Sequence, residues 1–251
     1  MRILKNAIVL CSGGLDSVVT AYYVKIRLKC NKLIILFFNY GQRTIKQERT
    51  YSKKCAKDLN GEFIEIKLNL FNFKNYLITN KKARIKKISR KKLKNTKDES
   101  KKFYVPFRNS IFLCYTIALA NSLKIKNKQI YDIFIGFKNE GKESYPDTTK
   151  EFVSSINKLI KINKLKSKII APLIKKDKDE IILLGGKLGV NFKKTYSCYA
   201  GVNGEKTNKV NRTEHCGVCL ACRLRQEAFY WANIKDPTKY MEKMKDFRLA
   251  F

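Results

Sequence analysis

At 251 residues and 44% hydrophobic content, the chain is long enough for one medium domain with an appendage and a sizeable core. No stretch approaches the roughly 18 apolar residues of a membrane span. The N-terminal flank is charged and its apolar run is short, so no leader peptide is expected and a cytoplasmic location is. The formal charge of +33 invites a nucleic-acid partner. Most of that charge is Lys, spread along the whole chain and accompanied by abundant Asn and Ile, the mark of an AT-biased coding sequence. No specific nucleic-acid partner and no membrane partner are therefore expected, although a basic surface draws anionic nucleotides.

The first predicted element is a strand at residues 7–11, followed by Ser12-Gly13-Gly14-Leu15-Asp16-Ser17. Val18, Val19, Ala21, Tyr22 and Val24 then recur at helical spacing. Strand, glycine turn and helix in this order form a phosphate site. Adjacent glycines open backbone angles closed to other residues and leave no Cβ against a ligand. The helix start offers free N–H groups and the positive end of its dipole. Ser12 and Ser17 add hydroxyls. Asp16 fits an anion site only if a metal accompanies the pyrophosphate. No Lys follows the glycines, which excludes the G-x-x-x-x-G-K-[ST] loop, and G-x-G-x-x-G is absent as well. S-G-G-x-D-S after a first strand resembles the pyrophosphate loop of the ATP pyrophosphatases. That resemblance implies cleavage of ATP to AMP and pyrophosphate.

The apolar run at 32–38 is a buried parallel strand, ending in Asn39-Tyr40-Gly41-Gln42-Arg43. A helix at 44–59 and a third strand at 63–66 follow. From Phe73 to Lys102 lysines crowd a stretch with few large apolar residues, which predicts a mobile loop or lid over one end of the sheet. Val105-Pro106-Phe107-Arg108-Asn109 opens a helix, with Pro106 in its first turn. Further strands are expected at 131–136 and 169–173, and helices at 151–162 and 178–188. Between them lies a loop containing Tyr145-Pro146-Asp147, where Asp147 would cap the following helix or bind substrate. The alternation of strand and helix gives an α/β class, a Rossmann-like parallel sheet with helices on both faces.

Of eight cysteines, Cys11, Cys30, Cys55 and Cys114 are scattered and read as reduced core residues. Cys216, Cys219 and Cys222 form C-x-x-C-x-x-C, with Cys198 upstream. Four thiolates at this spacing match a closed structural zinc site, one ion per chain. Gly201, Gly204 and Gly217 suit knuckle turns, and the polar intervening segment needs a metal to fold. His215 is a competing ligand, and an iron–sulfur cluster is the alternative metal group.

Ser12 to Ser17, Tyr40-Gly41-Gln42, Val105-Pro106 with Arg108-Asn109, Tyr145-Pro146-Asp147, Thr195 with Ser197-Cys198, and His215-Cys216-Gly217 with Cys219 and Cys222 occur in this order. Together they resemble the 7-cyano-7-deazaguanine synthase family of the queuosine pathway, over about residues 5–230. Phe107 stands where that family usually has Gly, Asn39 where it often has Asp, Tyr196 where Trp is usual, and Thr148 where Cys is common.

The resemblance implies ATP-dependent conversion of 7-carboxy-7-deazaguanine and ammonia to the nitrile through adenylated intermediates. It places ATP with Mg²⁺ on Leu10, Cys11, Ser12, Gly13, Gly14, Leu15, Asp16, Ser17, Val18, Val19 and Thr20, with Asp16 and Ser17 catalytic. Gln42, Arg108, Asn109 and Asp147 are its substrate-binding candidates, Arg108 having a helix-start salt bridge as its other reading. The expected organisation is an ATP pyrophosphatase α/β domain over 1–190 with a basic insertion at about 73–102, and a zinc-binding helical segment over 191–251. The working unit is expected to be a homodimer. Two rivals remain open at this point: a tRNA thiolation enzyme carrying an iron–sulfur cluster, and a non-enzymatic zinc protein that binds nucleic acid.

Overall fold

The computed structural model describes residues 6–69, 76–139, 145–201 and 215–243. Five strands form one parallel sheet: β1 (Asn6–Leu10), β2 (Lys32–Asn39), β3 (Glu62–Lys67), β4 (Asp132–Ile135) and β5 (Ile169–Ile170). Their spatial order is β3-β2-β1-β4-β5. The central strands are apolar on both faces because both faces are covered. Ala7, Val9, Leu33 and Ile35 enter one core, and Ile8, Leu10, Ile34, Leu36 and Phe38 enter the other. Register pairs Ile8 with Ile34 and with Ile133, so apolar side chains stack in rows across the sheet.

The first face is covered by α1 (Leu15–Tyr22), α2 (Ile45–Asp58), α6 (Lys178–Lys187) and α7 (Leu220–Trp231). The second is covered by α4 (Arg108–Asn127) and α5 (Lys150–Ile162). A short helix α3 (Lys97–Lys101) precedes α4. Each large aliphatic side chain buried in these layers contributes about 1.5–3 kcal/mol. The two layers and the parallel sheet are the α/β architecture expected. No described helix is long and apolar enough to cross a membrane.

Several local expectations change. Residues 73–75 lie outside the described set; residues 76–102 are largely irregular and exposed, as expected, but are anchored at a few buried positions. Ile78 and Ile88 are buried, and Ile88 clusters with Phe103 and Leu220. The Ile88 N–H also donates to the carbonyl of Val218, between the cysteines. Ile78 joins the second core and Ile88 a separate cluster beside α7, while Lys81, Lys82, Lys86, Lys87, Lys91 and Lys92 stay exposed. The last strand is two residues rather than five, since Pro172 lacks the N–H that would continue a ladder. Helix α4 begins at Arg108, after Pro106. Its N-cap, Phe107, has φ 58°, a left-handed conformation that costs a bulky residue about 1–2 kcal/mol. Thr149, not Asp147, caps α5, accepting from the Phe152 N–H at 3.1 Å.

Candidate active site

Strand order reverses direction between β1 and β4, and a cavity of about 310 Å³ opens at the carboxyl ends of these strands. The loop after β1 forms one wall. Gly13 has φ 74°, whereas Gly14 is extended, with φ −70°, and serves as N-cap of α1. No side chain caps that helix, which leaves its first N–H groups for a ligand. Ser12 Oγ accepts from the Gly14 N–H at 3.3 Å, and Ser17 Oγ donates to the Gly14 carbonyl at 3.0 Å. The two hydroxyls stand 3.5 Å apart. A Cβ on Gly14 would sit 3.2 Å from Ser12 Oγ and 3.9 Å from Ser17 Oγ, so this cradle is open only because Gly14 has none. Gly136, after β4, lets that chain pass the first turn of α1; a Cβ there would lie 3.0 Å from Ser17 backbone atoms.

Leu10, Cys11, Ser12, Asp16 and Ser17 line the cavity. Leu15, Val18, Val19 and Thr20 do not: they are buried between α1 and its neighbours, with Leu15, Val18 and Val19 in the first core. Asp16 receives an ion pair that the sequence did not reveal. Lys178 Nζ, from the start of α6, lies 3.1 Å from Asp16 Oδ2, while Asp16 Oδ1 is buried without a hydrogen-bond partner among the described residues. That free oxygen suits a divalent cation beside a phosphate. Lys178 was detectable only as a basic residue at a strand-to-helix junction, a position that parallel sheets bring to the same edge.

The opposite wall carries Tyr40, Arg108, Asn109 and Asp147. Arg108 forms no salt bridge among the described residues. It reaches the Tyr40 hydroxyl at 3.4 Å and lies over the Tyr40 and Phe112 rings. Asp147 Oδ1 is buried without a partner among the described residues. Burial pushes its carboxyl above the usual range, against the Arg108 charge and hydrogen bonds from Asn109. Gln42, by contrast, does not line the cavity. It is fully buried: its amide oxygen accepts from the Tyr40 N–H at 3.0 Å, and its NH₂ donates to the Phe38 carbonyl and to Glu48 Oε2, both at 3.0 Å. Glu48 itself lines the cavity, and the sequence reading passed it over.

The third wall is residues 196–199, the approach to the cysteines. The Tyr196 N–H donates to the Gly13 carbonyl at 2.8 Å, bracing the phosphate loop. Fully buried Arg225 of α7 holds this wall, donating to Thr195 Oγ1 at 2.8 Å, Ser197 Oγ at 3.1 Å and the Phe192 carbonyl at 3.1 Å.

The four sulfurs of Cys198, Cys216, Cys219 and Cys222 lie within 4.8 Å of one another. Cys216 and Cys222 Sγ are 3.9 Å apart, against about 3.8 Å for a tetrahedron with 2.3 Å metal–sulfur bonds. The Cys216 and Cys219 N–H groups donate to Cys198 Sγ and Cys216 Sγ, each at 3.4 Å. The neighbouring thiols hold the Cys216 thiol below the usual range, whereas burial pushes those of Cys219 and Cys222 up. This donor set fits one ion; the terminal sulfurs of a polynuclear cluster stand further apart. Gly201 and Gly217 have φ 65° and 78°, as their turns need. Gly204 and the segment 202–214 lie outside the described residues. His215 is not in the sulfur cluster; its Nε2 accepts from the Ser197 N–H at 3.0 Å.

A family model described as "Queuosine biosynthesis protein QueC" matches residues 6–233. The chain is 37% identical over 245 residues to "7-cyano-7-deazaguanine synthase" of Methanocaldococcus jannaschii, covering 94% of this chain and 100% of that protein. It is 34% identical over 252 residues to the protein of that name from Clostridium kluyveri, covering 94% and 98%. A solved NMN synthetase from Francisella tularensis superposes with a TM-score of 0.41 at 12% identity, covering 92% of this chain and 84% of that one, a likeness too weak to carry any argument. The loop, the cavity and the four-cysteine knuckle thus stand in a match that spans nearly the whole chain, and the chain belongs to the QueC family of queuosine biosynthesis proteins.

Proposed function

We propose that the chain is a 7-cyano-7-deazaguanine synthase, an ATP-dependent ligase that converts 7-carboxy-7-deazaguanine and ammonia to the nitrile. The observation that carries this reading is the uncapped start of α1, ringed by Ser12 and Ser17, on the same cavity as Arg108, Asn109 and Asp147. A carboxylate is a poor electrophile because its leaving group is oxide. Adenylation turns that oxygen into AMP, a good leaving group. The loop amides and the Ser12 and Ser17 hydroxyls hold the departing pyrophosphate, and Asp16 would hold a Mg²⁺ ion, whose charge would offset that of the phosphates. Lys178 balances Asp16 and adds a positive charge beside the phosphates. Arg108 and Asn109 face the substrate carboxylate. The free oxygen of Asp147 accepts from N–H groups of the deazaguanine ring. Ammonia gives the amide, and a second adenylation, on the amide oxygen, permits loss of AMP to form the nitrile. Side chains do little covalent work, so positioning dominates.

The metal in the knuckle is zinc. With four thiolates the site is closed, and its role is to hold residues 196–199 against the phosphate loop. The division at about residue 190 is functional rather than a separation of cores, since Ala228 and Phe229 of α7 pack in the first core with α1. The working unit is a homodimer, a reading supported by the apolar side chains Ile125 and Ile162, exposed on α4 and α5. Incubation with 7-carboxy-7-deazaguanine, ammonium and ATP tests the reading. Nitrile with two AMP and two pyrophosphate per turnover supports it; ADP and phosphate as the sole nucleotide products refute it.

A further inference from the structure

Ammonia exists almost wholly as ammonium at neutral pH. An ammonium ion approaching a chain of formal charge +33 is repelled by the overall field, so it needs a local anion. It must also lose a proton before nitrogen can attack. The cavity presents three carboxylates: Asp16, Glu48 and Asp147. Asp16 is paired with Lys178 on the phosphate loop. Asp147 stands against Arg108 and Asn109.

Glu48 differs from both. Its backbone carbonyl lies 2.9 Å from where a Gly13 Cβ would be, so it packs directly behind the phosphate loop. The charge of Arg108 reaches it from the other wall. No Lys or Arg forms a salt bridge with it among the described residues, although a partly buried carboxylate gains from a cation. Its orientation is built: Oε1 accepts from the Thr44 hydroxyl at 2.5 Å and Oε2 from Gln42 Nε2 at 3.0 Å. Gln42 is itself locked by the Phe38 carbonyl and the Tyr40 N–H. Each carboxylate oxygen has two lone pairs, so both keep one for a further donor. Gln42 thus ties the Glu48 carboxylate to the backbone of residues 38–40 and fixes its orientation.

We propose that Glu48 binds ammonium in the cavity and accepts its proton, which makes it a catalytic residue of amide formation. This rests on the synthase reading. Ammonium gives one proton to the Glu48 carboxylate, and the freed nitrogen lone pair attacks the carbonyl carbon of the acyl-adenylate. The bond from that carbon to the AMP oxygen breaks, AMP leaves with the electron pair, and the second surplus nitrogen proton passes to solvent. Burial pushes the Glu48 carboxyl above the ordinary range, despite the hydrogen bonds from Thr44 and Gln42 and the charge of Arg108. That shift makes it a better proton acceptor than an exposed glutamate.

The test is E48Q, which keeps shape and removes charge. Exchange of labelled pyrophosphate into ATP, dependent on 7-carboxy-7-deazaguanine, is expected to stay within about threefold of the unaltered protein. The KM for ammonium is expected to rise at least about tenfold. Hydroxylamine is mostly neutral at pH 7 and need lose no proton before it attacks, its one surplus proton passing to solvent afterwards, so hydroxamate formation is expected within about threefold of the unaltered protein. If E48Q fails to fold, E48D decides: its carboxylate is set back by one methylene, and a raised ammonium KM with exchange retained is expected. An unchanged ammonium KM overturns the proposal, as does an equal fall in exchange, ammonium use and hydroxamate formation. Absence of substrate-dependent exchange in the unaltered protein overturns the synthase reading itself, and this proposal with it.

Discussion

The adjacent glycines of the phosphate loop should respond in opposite ways to the same added methyl group. Gly13 is in the left-handed region, where a Cβ costs about 1–2 kcal/mol. That Cβ would also lie 2.7 Å from Tyr51 Cβ, 2.8 Å from the Ser52 nitrogen and 2.9 Å from the Glu48 carbonyl, all on α2. Two of these atoms are backbone and cannot rotate away, which adds an overpacking cost of about 1–3 kcal/mol. Gly13→Ala should therefore destabilise the fold by about 2–5 kcal/mol, which at roughly 2–4 °C per kcal/mol lowers Tm by about 4–20 °C. Gly14 is already extended, and its nearest neighbour is the rotatable Ser12 hydroxyl at 3.2 Å. Gly14→Ala should change stability by less than about 1 kcal/mol, helped by the reduced freedom of the unfolded chain. Its methyl group would instead occupy the cradle between Ser12 and Ser17, so AMP formation should fall at least about tenfold. Thermal unfolding followed by circular dichroism, beside an AMP release assay, separates the two. Equal destabilisation by both substitutions, or full AMP formation by Gly14→Ala, would refute the geometry argued for this loop.

Arg225→Met removes the guanidinium that supports the third wall and leaves its acceptors unsatisfied. A loss of about 3–5 kcal/mol is expected in urea unfolding, and a loss below about 1 kcal/mol would show that the network is not structural. Cys219→Ala, or treatment with a strong chelator, should lower stability by several kcal/mol and raise the substrate KM, because Ser197, Cys198 and Tyr199 line the cavity. Protein purified without added metal should be colourless and hold one equivalent of zinc; iron with acid-labile sulfide would contradict this. Glu65 on the edge strand β3 accepts two hydrogen bonds from Arg49 of α2, at 2.6 and 2.7 Å, and this guanidinium holds its carboxyl below the usual range. A depressed carboxylate stabilises above its unfolded value of 4.5 and loses that contribution as pH falls through its lower folded value. Both groups are partly exposed, so Glu65→Gln should cost about 1 kcal/mol at pH 7 and almost nothing near pH 2, measured as urea midpoints against pH.

The parts of this protein legible in its sequence are those whose cause is local. An apolar run followed by Ser12-Gly13-Gly14 and a helical period dictates strand, turn and helix, because side-chain period and glycine backbone freedom act within a few residues. Three of the four cysteines close a knuckle within seven positions, so their spacing alone signals a metal site. Tertiary structure decided the rest. The two glycines look alike in sequence, yet only Gly13 takes a left-handed φ, with α2 packed into the space a Cβ would fill. Val18 to Thr20 follow the loop but turn inward, since α1 must bury one face. Lysine content marks residues 76–102 as solvated, but Ile78 and Ile88 tie that stretch down against surfaces far along the chain. Gln42 faces inward to orient Glu48, and Lys178 meets Asp16 across 162 positions. Contacts of that separation depend on the strand order β3-β2-β1-β4-β5, which sets the ends of β1 and β4 side by side, and no local pattern encodes that order.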